Sequence, residues 1–111
     1  MTDGQLQIQT RSVGQAVVVA PQGDVDLTGS PALRAELKKS ATAPRLVIDL
    51  GKVSYMDSSG VATLVEAMQT AKRNKSSLVL CALTDRVRSI LHIARLDAFF
   101  TIVASVDDAT K

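Results

Sequence analysis

The chain is poor in the residues on which many functions depend. Of its 111 residues one is cysteine and one histidine, 3% are aromatic, and there is no tryptophan. The single thiol, Cys81, excludes a disulfide framework within the chain. It ends the apolar run Leu78-Val79-Leu80, which makes it a buried core thiol and implies a reducing compartment. The lone His92 has no Cys, His or Glu at metal-ligand spacing, and the sequence gives it no evident orienting partner, so neither a zinc site nor a hydrolase triad is assembled. The Gly-x-Ser-x-Gly elbow and the Gly-x-x-x-x-Gly-Lys phosphate loop are absent too. No catalytic residue, metal or cofactor is therefore expected. With so few aromatics there are no stacking platforms for bases. The basic residues are dispersed as Lys38-Lys39, Lys72-Arg73-Asn74-Lys75 and Arg86 with Arg88, so the net charge of +2 marks no nucleic-acid face. No apolar run approaches the ~18 residues of a membrane span and no charged start precedes one, which predicts neither signal peptide nor membrane partner and a soluble, cytoplasmic protein.

What the chain does have is enough apolar residue for one core, 46% of the total, and a length that suits one domain over residues 1–111. Its pattern alternates between strand and helix. Leu6 to Gln9 and Gln15 to Pro21 read as a hairpin around Ser12-Val13-Gly14. Ser30 followed by Pro31 reads as an N-cap with proline at the first helical position, opening a helix to about Ser40 with Leu33 and Leu37 inward. A strand Leu46–Leu50, a helix Ser59–Arg73, a strand Ser77–Cys81, a helix Thr84–Ala94 and a strand Phe100–Val103 follow, and no element is assigned beyond Val103. Asn74 suits the left-handed position after the second helix, and Lys72 and Arg73 complement its dipole. The prediction is a mixed sheet packed by helices, with the loops ending at Asp26 and Ser58 open at the carboxyl ends of their strands.

The most informative stretch is Val47 to Gly60. Leu46-Val47-Ile48 has the β-branched character of a strand buried on both faces. From Val61 the apolar residues Leu64, Val65, Met68 and Ala71 define one helical face, with Thr63, Glu66, Gln69, Thr70 and Arg73 pointing elsewhere. Between them lies Asp57-Ser58-Ser59-Gly60, in which Asp57 or Ser58 is the N-cap. Plain capping explains most such sequences. Here, however, the second serine is one hydroxyl more than a cap needs, and Gly60 weakens the helix by roughly 1 kcal/mol relative to alanine, which points to close approach of another backbone.

Taken together, Ile48-Asp49-Leu50, Met56-Asp57-Ser58-Ser59-Gly60 and the helix after them resemble the signature of STAS-domain anti-sigma factor antagonists. Gly23-Asp24-Val25-Asp26 is similar to that family's turn before the first helix, Leu78 to Cys81 to its fourth strand, and Val87 to Phe99 to the helix that follows. The chain departs from the pattern at Arg95, where a glycine is expected, at Val61-Ala62 in place of Leu-Gly, and in a shorter stretch after Val103. The resemblance implies an α/β fold, a single STAS-like domain with an N-terminal hairpin and then parallel β/α units. It also implies that Ser58, directly after the aspartate, is phosphorylated by a partner kinase. On that footing the unphosphorylated chain binds an anti-sigma factor that is also a serine kinase and so frees a bacterial sigma factor, and a serine phosphatase reverses the switch. Asp24, Asp26, Asp57, Ser58, Ser59 and Gly60 form the expected partner surface, with ATP and Mg²⁺ belonging to the kinase.

Two other readings compete. A receiver-like domain would take phosphate on Asp49, but the hairpin supplies no acids to hold the Mg²⁺ such a site needs, and Asp49 is read as structural. A scaffold subunit of a signalling or lipid-transport assembly would use the same fold with no phosphorylation, and fold alone does not separate it from a switch.

Overall fold

The computed structural model of the chain describes residues 6–111. Strand β1 (Gln7–Val13) pairs antiparallel with β2 (Ala16–Val25), Val13 standing opposite Ala16, so the connection is the two-residue turn Gly14-Gln15. Gly14 has φ +61°, the left-handed geometry that tight hairpins require and glycine accepts. Both strands run longer than their alternation suggests.

The stretch read from sequence as one strand from Leu46 to Leu50 is followed by a second that the reading missed. β3 (Arg45–Asp49) pairs in parallel with the first half of β2, and β4 (Lys52–Met56) pairs in parallel with its second half. They act as two halves of one long strand, interrupted at Leu50-Gly51, where Asp49 Oδ1 accepts from Gly51 N at 3.0 Å. That bond is a structural role for Asp49. Only Val53 and Met56 of β4 are buried, because the pairing skips Ser54 between Val53 and Tyr55, opposite Gly23 and Asp24 of β2, which breaks the alternation, and so the segment carries no period-two signal.

Beyond β3 the sheet continues in parallel through β5 (Ser77–Cys81) to β6 (Thr101–Val103), in the order β1-β2-β3-β5-β6. Helices α1 (Ser30–Lys39), α2 (Ser58–Arg73) and α3 (Asp85–Ile93) bury Leu33, Leu37, Leu64, Met68, Val87 and Leu91 against Val19, Leu46, Ile48 and Leu80 of the sheet. The opposite face, with Val18, Val47, Val79 and Cys81, is closed by a short helix α4 (Val106–Thr110) through Ala109. Arg45 fastens that helix, its guanidinium donating to Ala109 O at 2.8 Å. Although no periodic pattern marks an element beyond Val103, Ser105 caps this helix by accepting from Asp108 N. Cys81 is fully buried, as expected of a core thiol, and burial first, then the nearby Asp49 charge, pushes it up to about 11.

Several local expectations are corrected. Gly29, not Ser30, is the N-cap of α1. Ser30 and Pro31 are its first helical residues, because the Ser30 hydroxyl turns back to donate to Asp26 O at 2.7 Å. Thr63 faces inward, and its hydroxyl is satisfied by donating to Ser59 O at 2.9 Å. Asn74 keeps helical φ, and Lys75 takes the left-handed position at φ +56°. The bonds Lys75 N to Lys72 O and Ser76 N to Ala71 O close a Schellman motif one residue later than predicted. The Lys72 ammonium lies 4.6 Å from the centre of the Phe99 ring. His92 does have a partner: its Nδ1 is 2.9 Å from Asp97 Oδ2, brought there by the chain reversal at Arg95. Both side chains are exposed, and the bond to His92 holds the Asp97 carboxyl below its ordinary range.

Candidate functional site

The site is the corner where β2 ends, β4 ends and α2 begins. β2 and β4 finish side by side, with Val25 opposite Met56, and this register brings the loop after β2 against the first turn of α2. Asp57 joins them. Its Oδ1 accepts from Ser59 N at 2.8 Å and Gly60 N at 3.2 Å, capping α2, while Oδ2 accepts from Leu27 N at 3.1 Å across 30 residues of chain. Of the two candidate caps the structure selects Asp57, and Ser58 is the first helical residue. The Ser59 hydroxyl, then the amides of Gly60, Ser59 and Leu27, hold the Asp57 carboxyl below its usual range, against an opposing contribution from desolvation.

The two serines differ in kind. Ser59 Oγ donates to Asp57 Oδ1 and accepts at 2.8 Å from Ser30 Oγ, whose single proton is shared between Ser59 Oγ and Asp26 O. Ser59 is half-buried and its hydroxyl is engaged on both sides. Ser58 is exposed, and among the described residues its hydroxyl takes part in no hydrogen bond. The helix start therefore presents one free hydroxyl to an approaching protein.

Gly60 is where the sequence suggested a close approach, and the approach is there. A Cβ at this position would sit 2.5 Å from both Met56 Cγ and Val25 O and 2.9 Å from Val25 Cγ1. Glycine thus lets α2 start directly against the ends of β2 and β4. Buried as it is, Gly60 shapes the surface from beneath and does not stand on it.

The acids expected to form a rim are gathered unevenly. Asp26 is half-buried, and its Oδ1 accepts from Thr28 N and Gly29 N, both at 3.0 Å, ordering the loop that Asp57 also holds. Asp24 stands on β2 opposite Tyr55, also half-buried. Between Asp26 and Thr28 lies a residue that sequence reasoning missed: Leu27, 77% exposed. An isolated leucine in a loop gives no periodic signal, and only the bond from its amide to Asp57 reveals its place.

This arrangement matches a known family. The STAS domain model aligns with residues 7–109, nearly the whole described chain. The chain belongs to the STAS domain family. An anti-sigma-B factor antagonist of Listeria monocytogenes is 33% identical to it over 82 residues, covering 72% of each chain. Among solved structures, an anti-sigma factor antagonist from Mycobacterium paratuberculosis superposes with a TM-score of 0.85 at 24% identity, over 96% of this chain and 92% of that one. The phosphorylated form of the Bacillus cell fate determinant SpoIIAA superposes with a TM-score of 0.73 at 20% identity, over 93% and 96% of the two chains. These likenesses show the mixed α/β STAS fold predicted from the sequence. No helix among the described residues is long and apolar enough to cross a membrane.

Proposed function

We propose that this STAS domain is an anti-sigma factor antagonist that works by phosphorylation-controlled partner switching, with Ser58 as the acceptor. The observation that carries the site is the contrast between the free, exposed Ser58 hydroxyl and the doubly engaged hydroxyl of Ser59. A kinase must bring the acceptor oxygen in line with a γ-phosphate, and a hydroxyl already held in a half-buried network is a poor candidate for that geometry. The Listeria relative, named as an anti-sigma-B factor antagonist, supports the choice of partner.

In this reading the chain contributes no catalysis. Unphosphorylated, it binds an anti-sigma factor that is also a serine kinase through Ser58, Ser59, Asp57, Asp26 and Asp24, over a surface shaped by Gly60. Transfer from ATP breaks the bond between the β,γ-bridging oxygen and the γ-phosphorus and forms the Ser58 Oγ–phosphorus bond, the hydroxyl proton passing to a base of the kinase, leaving ADP and adding about −1.5 to −2 charges at pH 7. Within the domain the charge is tolerated, since Ser58 faces solvent at the positive end of a 16-residue helix. Asp57 already occupies the Ser59 and Gly60 amides, so the phosphate gains the helix field but not those two donors. In the complex the same phosphate must lose water beside the Asp57 carboxylate, which opposes binding. A serine phosphatase would restore the binding form.

Incubation with a candidate anti-sigma kinase and ATP, followed by phosphopeptide mapping and calorimetry, tests this reading. It expects one phosphate, on Ser58, none on Ser58→Ala, and at least a tenfold loss of affinity on phosphorylation, or about 1.4 kcal/mol. Equal affinity of the two forms, or equal phosphorylation of Ser58→Ala, would overturn it.

A further inference from the structure

We propose that Leu27 is the apolar anchor of the partner surface, seated in a hydrophobic socket of the kinase beside the groove that accepts Ser58. The inference rests on the partner-switching reading and adds to it a residue and the chemistry of its counterpart. Four large apolar side chains stand exposed among the described residues: Val13, Leu27, Tyr55 and Ile93. Leu27, at 77%, is the one whose own backbone is bonded to the serine corner, through its amide and Asp57 Oδ2.

An exposed leucine on a loose loop would make a weak anchor, because binding would have to order the loop. This loop is already ordered. The Asp57 carboxylate holds Leu27 N, the Asp26 carboxylate holds Thr28 N and Gly29 N, and Asp26 O takes both the amide and the hydroxyl of Ser30. At Gly29 a Cβ would stand 3.1 Å from Asp24 O, so the turn lies tight against the end of β2. The result is a single apolar knob on a fixed backbone, flanked by the carboxylates of Asp26 and Asp57. That is the anatomy of an interface hot spot, an apolar centre inside a charged rim. Its complement is an apolar socket rimmed by basic groups. The same carboxylate that fixes the knob is adjacent in sequence to the phosphate acceptor, so a phosphate on Ser58 lies within the area that seating Leu27 would desolvate.

The probe is the purified serine kinase found to phosphorylate Ser58, titrated calorimetrically with wild type, Leu27→Ala, Leu27→Asp and, as an equally exposed aliphatic control, Ile93→Ala. The expected result is a loss of at least fivefold in affinity for Leu27→Ala, a larger loss for Leu27→Asp, and a change of less than twofold for Ile93→Ala, with thermal midpoints matching wild type. A loss of less than fivefold for Leu27→Ala, or an equal loss for Ile93→Ala, overturns the anchor and leaves partner switching standing. Failure of wild type itself to bind removes the partner-switching reading, and the anchor falls with it.

Discussion

The hydroxyls of Ser30 and Ser59 lie 2.8 Å apart although 29 residues separate them, linking the first turn of α1 to the first turn of α2. This contact decides which serine is available. Ser59→Ala removes the link and the donation to Asp57, and is expected to lower stability by about 1 kcal/mol, the usual net worth of a hydrogen bond. It leaves the Ser58 hydroxyl untouched. Phosphorylation of Ser59→Ala at Ser58, seen by peptide mapping, is the expected outcome, and loss of all phosphate in this variant would move the acceptor to Ser59.

Gly60 offers a sharper test of packing. Alanine would gain roughly 1 kcal/mol in helix propensity. Against that, its methyl group would meet Val25 O and Met56 Cγ at 2.5 Å, and backbone at that distance does not yield cheaply. Gly60→Ala is expected to destabilise the domain by about 1–3 kcal/mol in urea denaturation. A stabilised variant would show that α2 can slide away from β2 without penalty.

Much of this corner was legible in the sequence. A cap at Asp57 or Ser58 and the backbone approach at Gly60 follow from side-chain chemistry within a few residues, where spacing is informative, whereas Ser58 as acceptor came from the family resemblance. What was missed depends on contacts between distant segments. β4 owes its strand to the far half of β2, and Leu27 matters only because Asp57, 30 residues on, holds its amide. α4 likewise depends on Arg45, a residue of β3, for its attachment.

Arg95, the departure from the family's glycine, carries its own cost. It sits at φ +62° after α3, and its amide bonds to His92 O while Leu96 N bonds to Leu91 O, the Schellman geometry that glycine adopts freely. A residue with a Cβ pays about 1 kcal/mol there. Arg95→Gly is therefore expected to raise stability by up to about that amount, read as a higher urea midpoint with an unchanged slope. A lower midpoint would mean that the arginine side chain makes compensating contacts.

The acid response follows from Asp57. Its folded-state value is depressed, first by the Ser59 hydroxyl and then by the Gly60, Ser59 and Leu27 amides, so the unfolded chain takes up the proton more readily. The stability this carboxylate supplies is therefore complete above its unfolded value, near pH 4, and is lost as pH falls through the lower folded value. Asp57→Asn should be less stable than wild type at pH 7, and the gap should narrow steadily below about pH 4. Asp97, depressed through its bond to His92, gives a separate acid loss that both proteins share. Phosphorylation should shift the Asp57 response. A phosphate on Ser58, still an anion at that pH, opposes the neighbouring carboxylate and raises its folded value toward the unfolded one, so Asp57 supplies less stability at pH 7 and the phosphorylated domain should lose less of it on acidification than the unmodified one. Urea denaturation of the three forms at pH 7, 5 and 3 measures both effects. A gap between wild type and Asp57→Asn that stays constant from pH 7 to pH 3 would show that the carboxylate's charge has no part in holding the corner together.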